Sequence, residues 1–318
     1  MRKALNQEHI EGRVYQHELA IKTVQNQQSA NFGKEFINGN IDIAVDEEGL
    51  NVIQVHFTYV TETTKNGGKN ATFTALKKII EEGKAWITDG KDAATKVKID
   101  TALALNDFYT QDDNLVSVKM NEGGFVTIVT ELCPENERNT FNVDMLITSV
   151  TAVEADEEKN ISNPYVTIKG AVFNFRNDLL PVEFIVRNEQ GMKYFMNLDV
   201  TNAEPVYTKV WGKINCTTAT IERTEESAFG EASVKTYEKK TKEWVVTGTA
   251  KVPYDFGDEK ILTADEVRTA CQNREVMLAE VKKRREEWQA SQASKNTTPN
   301  AFGGPVETAP AKKGGFNF

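Results

Sequence analysis

The chain has 318 residues, 39% hydrophobic and 27% charged, with a formal net charge of −9. This is the make-up of a globular chain long enough for two cores, and no apolar run nears the roughly 18 residues of a membrane span. Three scattered cysteines (Cys133, Cys216, Cys271) and three histidines (His9, His17, His56) argue against a disulfide framework, a Cys-rich zinc site and a His-based catalytic centre.

Residues 1–10 lack the apolar centre of a signal peptide and read as a loose or weakly helical arm. Residues 12–24 predict a first strand with a bulge, and residues 25–33 a polar loop with one aromatic, Phe32. Residues 34–59 are the central feature. Ile37, Gly39, Ile41, Ile43 and Val45 alternate with mostly polar neighbours, Asp46-Glu47-Glu48-Gly49 makes a turn, and Leu50, Val52, Val55 and Phe57 return as a second strand. Period two predicts a half-buried hairpin, and a glycine inside a strand marks a bend where a sheet curls.

Residues 61–70 form a Gly-rich basic loop with Lys65 and Lys69. Phe73, Leu76, Ile79 and Ile80 recur at helical spacing over 71–82, and Gly83 is placed to stop that helix. Strands follow over 95–108 and 115–132. Three strands, a helix and two strands is the order of an OB-fold, a small closed barrel.

After a polar linker at 133–140, a second strand set begins over 141–153. Residues 165–186 repeat the pattern of the first hairpin, with Gly170 in the place of Gly39, and predict a second barrel. Strands are predicted at 193–200, 207–222 and 244–250, with no clear helix among them. Thr263 and Glu266 form a capping box ahead of a helix that ends near 292, and residues 293–318, rich in Ser, Thr, Asn, Pro, Gly and Ala, predict a disordered tail. The expected fold is mainly β: a first OB-like barrel with its arm over 1–132, a second over 141–256, a C-terminal α-helix over 257–292 and the tail.

Candidate binding residues are basic and aromatic, the combination by which OB-folds hold a single strand. In the first barrel they are Phe32, Lys34, Phe57, Tyr59, Lys65 and Lys69; in the second, Phe173, Arg176, Lys193, Tyr194, Lys209, Trp211 and Lys213. Lys209, Trp211 and Lys213 at period two share one face of a strand; the other reading is a tryptophan packed at a barrel edge under lysine stems. Gly67-Gly68-Lys69 lacks the spacing of a phosphate-binding P-loop. Asp42, Asp46, Glu47 and Glu48 read as a turn and a solvated face. Phe316 and Phe318, at the end of the tail, read as a tethered docking motif for other proteins. No catalytic constellation, cofactor or metal site is expected, and a reducing cytoplasmic setting fits the cysteine usage.

The hairpin over 32–59, the stretch Tyr207–Ile214, Ser227-Ala228-Phe229-Gly230 and the aromatic tip together resemble bacteriophage single-stranded DNA-binding proteins of the tandem OB-fold kind. The resemblance spans most of residues 11–255. It implies sequence-independent binding and protection of single-stranded DNA in phage DNA replication or recombination, with replication or recombination proteins docking on the C-terminal tip. The tip departs from that class, because Lys312 and Lys313 stand where acidic residues are usual. The alternative is a structural or packaged phage protein whose barrels serve protein assembly.

Overall fold

A computed structural model describes residues 4–156, 161–225 and 233–296. Phe316, Phe318 and the 227–230 loop lie outside the described residues.

The first half contains β1 (Asn6–His17), β2 (Ala20–Thr23), β3 (Glu35–Ala44), β4 (Val52–Thr61), α1 (Ala71–Glu82), α2 (Trp86–Asp89), β5 (Lys96–Tyr109) and β6 (Leu115–Ile128). Its sheet closes on itself in the order β1, β3, β4, β6, β5 and back to β1, with β4 and β6 the only parallel neighbours. The second half contains β7 (Asn139–Val153), β8 (Tyr165–Phe173), β9 (Leu179–Val186), α3 (Glu189–Met196), β10 (Val206–Glu225) and β11 (Ser233–Thr249). It closes as β7, β8, β9, β11, β10 and back to β7, again with one parallel pair, β9 and β11. Each ring is a five-stranded barrel with a helix between its third and fourth strands, the OB arrangement. The chain then enters α4 (Ala264–Asn296), which opens on the capping box: Thr263 N donates to Glu266 Oε2 at 2.9 Å, and Glu266 N to Thr263 Oγ1 at 3.3 Å.

The two glycines of the repeated hairpin do the same work. A Cβ on Gly39 would collide with the carbonyl of Glu18, and one on Gly170 with the carbonyl of Leu146. In each barrel the second strand therefore crosses the chain ahead of it, at backbone contact, where only glycine fits.

Two expectations fail. Residues 6–10 are not an arm but the first part of β1, where they pair with β5 on one side and with Asn139–Val143 of β7 on the other. The two barrels thus share one continuous sheet. Residues 193–200 are not a strand, because Asn188 caps a helix there, its Oδ1 accepting from Gly191 N at 2.6 Å. Glu189 and Lys193 pair across one turn at 2.6 Å, while Met192 and Phe195 face the core. The apolar alternation of 194–198 masked that cap.

One core runs through both barrels. Ile37, Ile41, Ile53, Val55 and Phe57 fill the first, closed below by Phe73, Leu76 and Ile79 of α1. Phe141, Ile168, Phe184, Val210, Ile214 and Trp244 fill the second, with Phe195 of α3. Each such side chain contributes about 1.5–3 kcal/mol by leaving water.

Candidate nucleic-acid interface

On the outer face of β3 and β4, alternation sends Phe36, Asn38, Asn40 and Asp42 away from the core. Ile37↔Val60 and Gly39↔Phe57 are paired, so β4 holds one residue more than β3 in that interval. The extra residue is a bulge. It returns Val60 to the core side and turns Tyr59 outward, 46% exposed. Tyr59 then meets Phe36 with ring centres 4.7 Å apart and a 40° tilt. Phe57, before the bulge, is fully buried. It is a core residue, and the expectation that it binds a strand is corrected.

Both loops at this end of the hairpin carry the predicted residues. Phe32 is 52% exposed in the loop entering β3, and Lys34 beside it reaches Asn31 Oδ1 at 3.2 Å. The loop leaving β4 is closed by a bridge between Thr63 and Lys69 and exposes Lys65 and Lys69. Lys22 of β2, opposite Phe36 in the sheet, adds a further exposed cation. None of Lys22, Lys34, Lys65 and Lys69 makes an ion pair among the described residues. The structure thus gathers Phe32, Lys34, Tyr59, Lys65 and Lys69 at one end of one hairpin and adds Lys22 and Phe36. Lys22 was hidden because its place depends on which strand lies beside which, whereas the alternation around Ile37 already offers Phe36 as an outward-facing candidate. Farther along the face the surface is polar and self-paired. Asp42 accepts from Gln16 Nε2 at 2.7 Å and Gln54 Nε2 at 2.9 Å, His56 Nδ1 lies 2.7 Å from Asn40 Oδ1, and Thr58 donates to Glu122 at 2.8 Å.

The corresponding face of the second barrel is covered. Ala171 and Phe173 of β8, Leu179 of β9, Leu146 and Tyr207 lie under Leu262 and Ala270, with Tyr254, Phe256 and Val267 around them. Phe173 is therefore buried by the chain's own C-terminal segment, and its expected role as a base platform is corrected. Arg176 lies exposed in the β8–β9 turn, its guanidinium 5.1 Å from the ring of Phe175. Lys193 is engaged with Glu189, and Tyr194 stands edge-on to Phe195 at 5.2 Å.

The β10 triplet alternates with the core as expected, since Val210 and Gly212 between its members and Ile214 after them are buried. Trp211 lies opposite Gly248, and its indole occupies the space a Cβ there would need, leaving 40% of the residue exposed. Lys213 is turned down to the carbonyl of Asn136 and to Asn139 Oδ1 at 3.4 Å, and burial lowers its pKa. The edge-packed alternative thus describes much of Trp211, while part of the residue stays exposed.

Between the barrels, Trp244 donates to Glu8 Oε1 at 2.8 Å. Lys119 Nζ and Lys242 Nζ lie 4.9 and 5.0 Å from the Trp244 ring centre, within cation–π range. Burial raises Glu8 to about 8 and lowers Lys119 to about 8. Away from the β3–β4 face, His9, Glu11 and Cys133 form a group of metal-ligating types. No helix among the described residues is long and apolar enough to cross a membrane.

The sequence model of the family described as YorF matches residues 5–284. No curated protein matches the chain. Among solved structures, a deletion mutant of the single-stranded DNA binding protein from Thermus aquaticus is similar at 11% identity, over 81% of this chain and 100% of that one, with a TM-score of 0.46. At that score it adds nothing to what the strand pairing shows.

Proposed function

The chain belongs to the YorF family, and we propose that it binds single-stranded DNA across the outer face of β3 and β4, without base specificity. One observation carries this reading: half-buried Phe36 packs on exposed Tyr59 at the end of the hairpin whose loops and neighbouring strand carry exposed Phe32 and four lysines without an ion pair among the described residues. Stacked bases and a basic groove are what a single strand requires, and the outer face of strands two and three is where OB barrels hold oligonucleotides. A net charge of −9 opposes a polyanion overall, so binding rests on this local patch and weakens with salt. The finer reading, protection of single-stranded DNA in phage replication or recombination, rests on the family resemblance of the sequence. Partner docking through Phe316 and Phe318 rests on the same ground.

The test is fluorescence anisotropy of a labelled oligo-dT of ~30 nucleotides at two salt concentrations, with a duplex control. Tight, salt-sensitive binding to the single strand alone supports the proposal. Absence of binding at low salt overturns it and favours the assembly role for the barrels.

A further inference from the structure

His9 and Glu11 stand two apart on β1, so their side chains share a face of the strand. Cys133 is brought over them by the segment after β6. That segment is tied down at three points: Cys133 N donates to Glu11 Oε1 at 2.6 Å, Glu11 N to Arg138 O at 2.7 Å, and Arg138 Nε to Cys133 O at 2.8 Å. Glu11 Oε2 lies 3.4 Å from His9 Nε2, and one ligand atom from each of the three residues lies within 4.8 Å of the others. The other ring nitrogen, His9 Nδ1, lies 2.8 Å from Asp100 Oδ1. This is the outer carboxylate that commonly fixes a metal-binding histidine with its second nitrogen aimed at the ion. The Glu11 side chain is only 7% exposed and that of His9 26%, so the group is sheltered but reachable.

We propose that His9 Nε2, Glu11 Oε2 and Cys133 Sγ form a three-ligand site for a divalent cation of the zinc class, with its fourth position open to water. The donor set is the mixed nitrogen, oxygen and sulfur set that suits Zn²⁺ or Co²⁺ and does not suit Mg²⁺ or Ca²⁺. Tetrahedral Zn²⁺ sets its ligand atoms about 3.3–3.6 Å apart, so the widest pair closes by about an ångström on binding. The step is a displacement without redox change. The metal–sulfur bond replaces the S–H bond, and the thiol proton leaves to solvent. Two cations stand nearby. Arg138 is committed to Glu47 at 2.7 Å, and Lys213 is turned to Asn136 and Asn139. The rival state is the metal-free cluster, in which the Cys133 thiol hydrogen-bonds Glu11.

The test is a Co²⁺ titration of the full chain under reducing, chelator-free conditions, read by the thiolate-to-cobalt charge-transfer absorption and the visible ligand-field bands. The expected result is one cobalt per chain with a thiolate band, lost in Cys133→Ser and displaced by Zn²⁺. Asp100→Asn weakens binding about 10–100-fold. Absence of a thiolate band overturns the proposal, as does a band that survives in Cys133→Ser, which would place the metal on Cys216 or Cys271. Circular dichroism of the variant checks its fold. Should Cys133→Ser not fold, His9→Gln replaces it, and an unchanged cobalt spectrum in that variant overturns the proposal equally.

Discussion

Arg274 holds Asp107 with both terminal nitrogens, at 2.7 and 2.5 Å, and the two side chains are 8% and 9% exposed. The pair fastens α4, which covers the second barrel, to β5 of the first. Farther along the helix Arg285 reaches Asp113 at 3.1 Å and packs 5.8 Å from the centre of the Tyr109 ring. The stripe that faces the barrels is Val267, Ala270, Arg274, Leu278, Val281 and Arg285, whereas Met277 and Trp288 are exposed. Bidentate geometry between buried charges makes the pair hard to break from one side.

Arg274→Ala leaves the Asp107 carboxylate buried without its partner. A loss of about 3–5 kcal/mol is expected, measured by urea denaturation. A double replacement, Arg274→Met with Asp107→Leu, recovers much of it, because the second charge is then also gone.

Tyr59→Ala and Phe57→Ala separate binding from stability, although the two residues are two positions apart. Tyr59→Ala lowers affinity for oligo-dT by about 1–3 kcal/mol and leaves the thermal midpoint nearly unchanged. Phe57→Ala costs about 3–5 kcal/mol of stability. Equal effects of the two on affinity per unit of retained fold would count against the β3–β4 face.

Replacing Lys65 and Lys69 together by Gln should reduce the salt slope by about 0.7 for each phosphate contact removed. The loss should be the same on oligonucleotides of different sequence, since phosphate contacts carry no base information. An unchanged slope means that this loop does not touch the strand.

Glu8 links the fold to pH. Its folded pKa of about 8 lies above its ordinary 4.5, so the folded state binds the proton more tightly. Its effect on stability is therefore unfavourable as pH rises from about 4.5 to about 8. Glu8→Gln preserves an acceptor for Trp244 and removes the penalty. The variant should match the wild type near pH 4.5 and exceed it near pH 8 in thermal melts. Equal pH profiles would mean that Glu8 does not titrate in this window.

Glu47 has the opposite sign. Hydrogen bonds from Arg138, Lys91 and Arg13, in that order of effect, lower its pKa to about 2. Its stabilising effect is present above about 4.5 and is lost as pH falls towards 2. The carboxylate is 41% exposed, so salt screens part of the effect. Glu47→Gln should flatten the acid limb of the stability curve in that window, most clearly at low ionic strength.

Much of this fold was readable because local signals agreed with it. The hairpin alternation of 37–57, the helix of 71–82 with its stop at Gly83, and the Thr263 cap each name their own element. What stayed hidden depends on neighbours distant in sequence. Period two assigns Phe57 and Tyr59 to the same face, and only the bulge against β3 separates them. Phe173 sits in a strand that resembles an open platform, but a segment some 80 residues later covers it. Cys133 looks isolated because its companions are His9 and Glu11, on a strand formed by the opposite end of that half.

The pairing of residues 6–10 with 139–143 joins the leading halves of two equivalent strands in antiparallel register. That is the arrangement an internal dyad produces: each barrel offers the other the same edge. An edge that fits its structural equivalent also fits its own copy. Separated ahead of β7, each half would stay paired within its own barrel on one side and expose the other edge of that segment, its donors and acceptors unpaired, and the nearest match in solution would be an identical half. The covalent connection makes the unlike pairing intramolecular, and so keeps one barrel with an open β3–β4 face beside one that is covered.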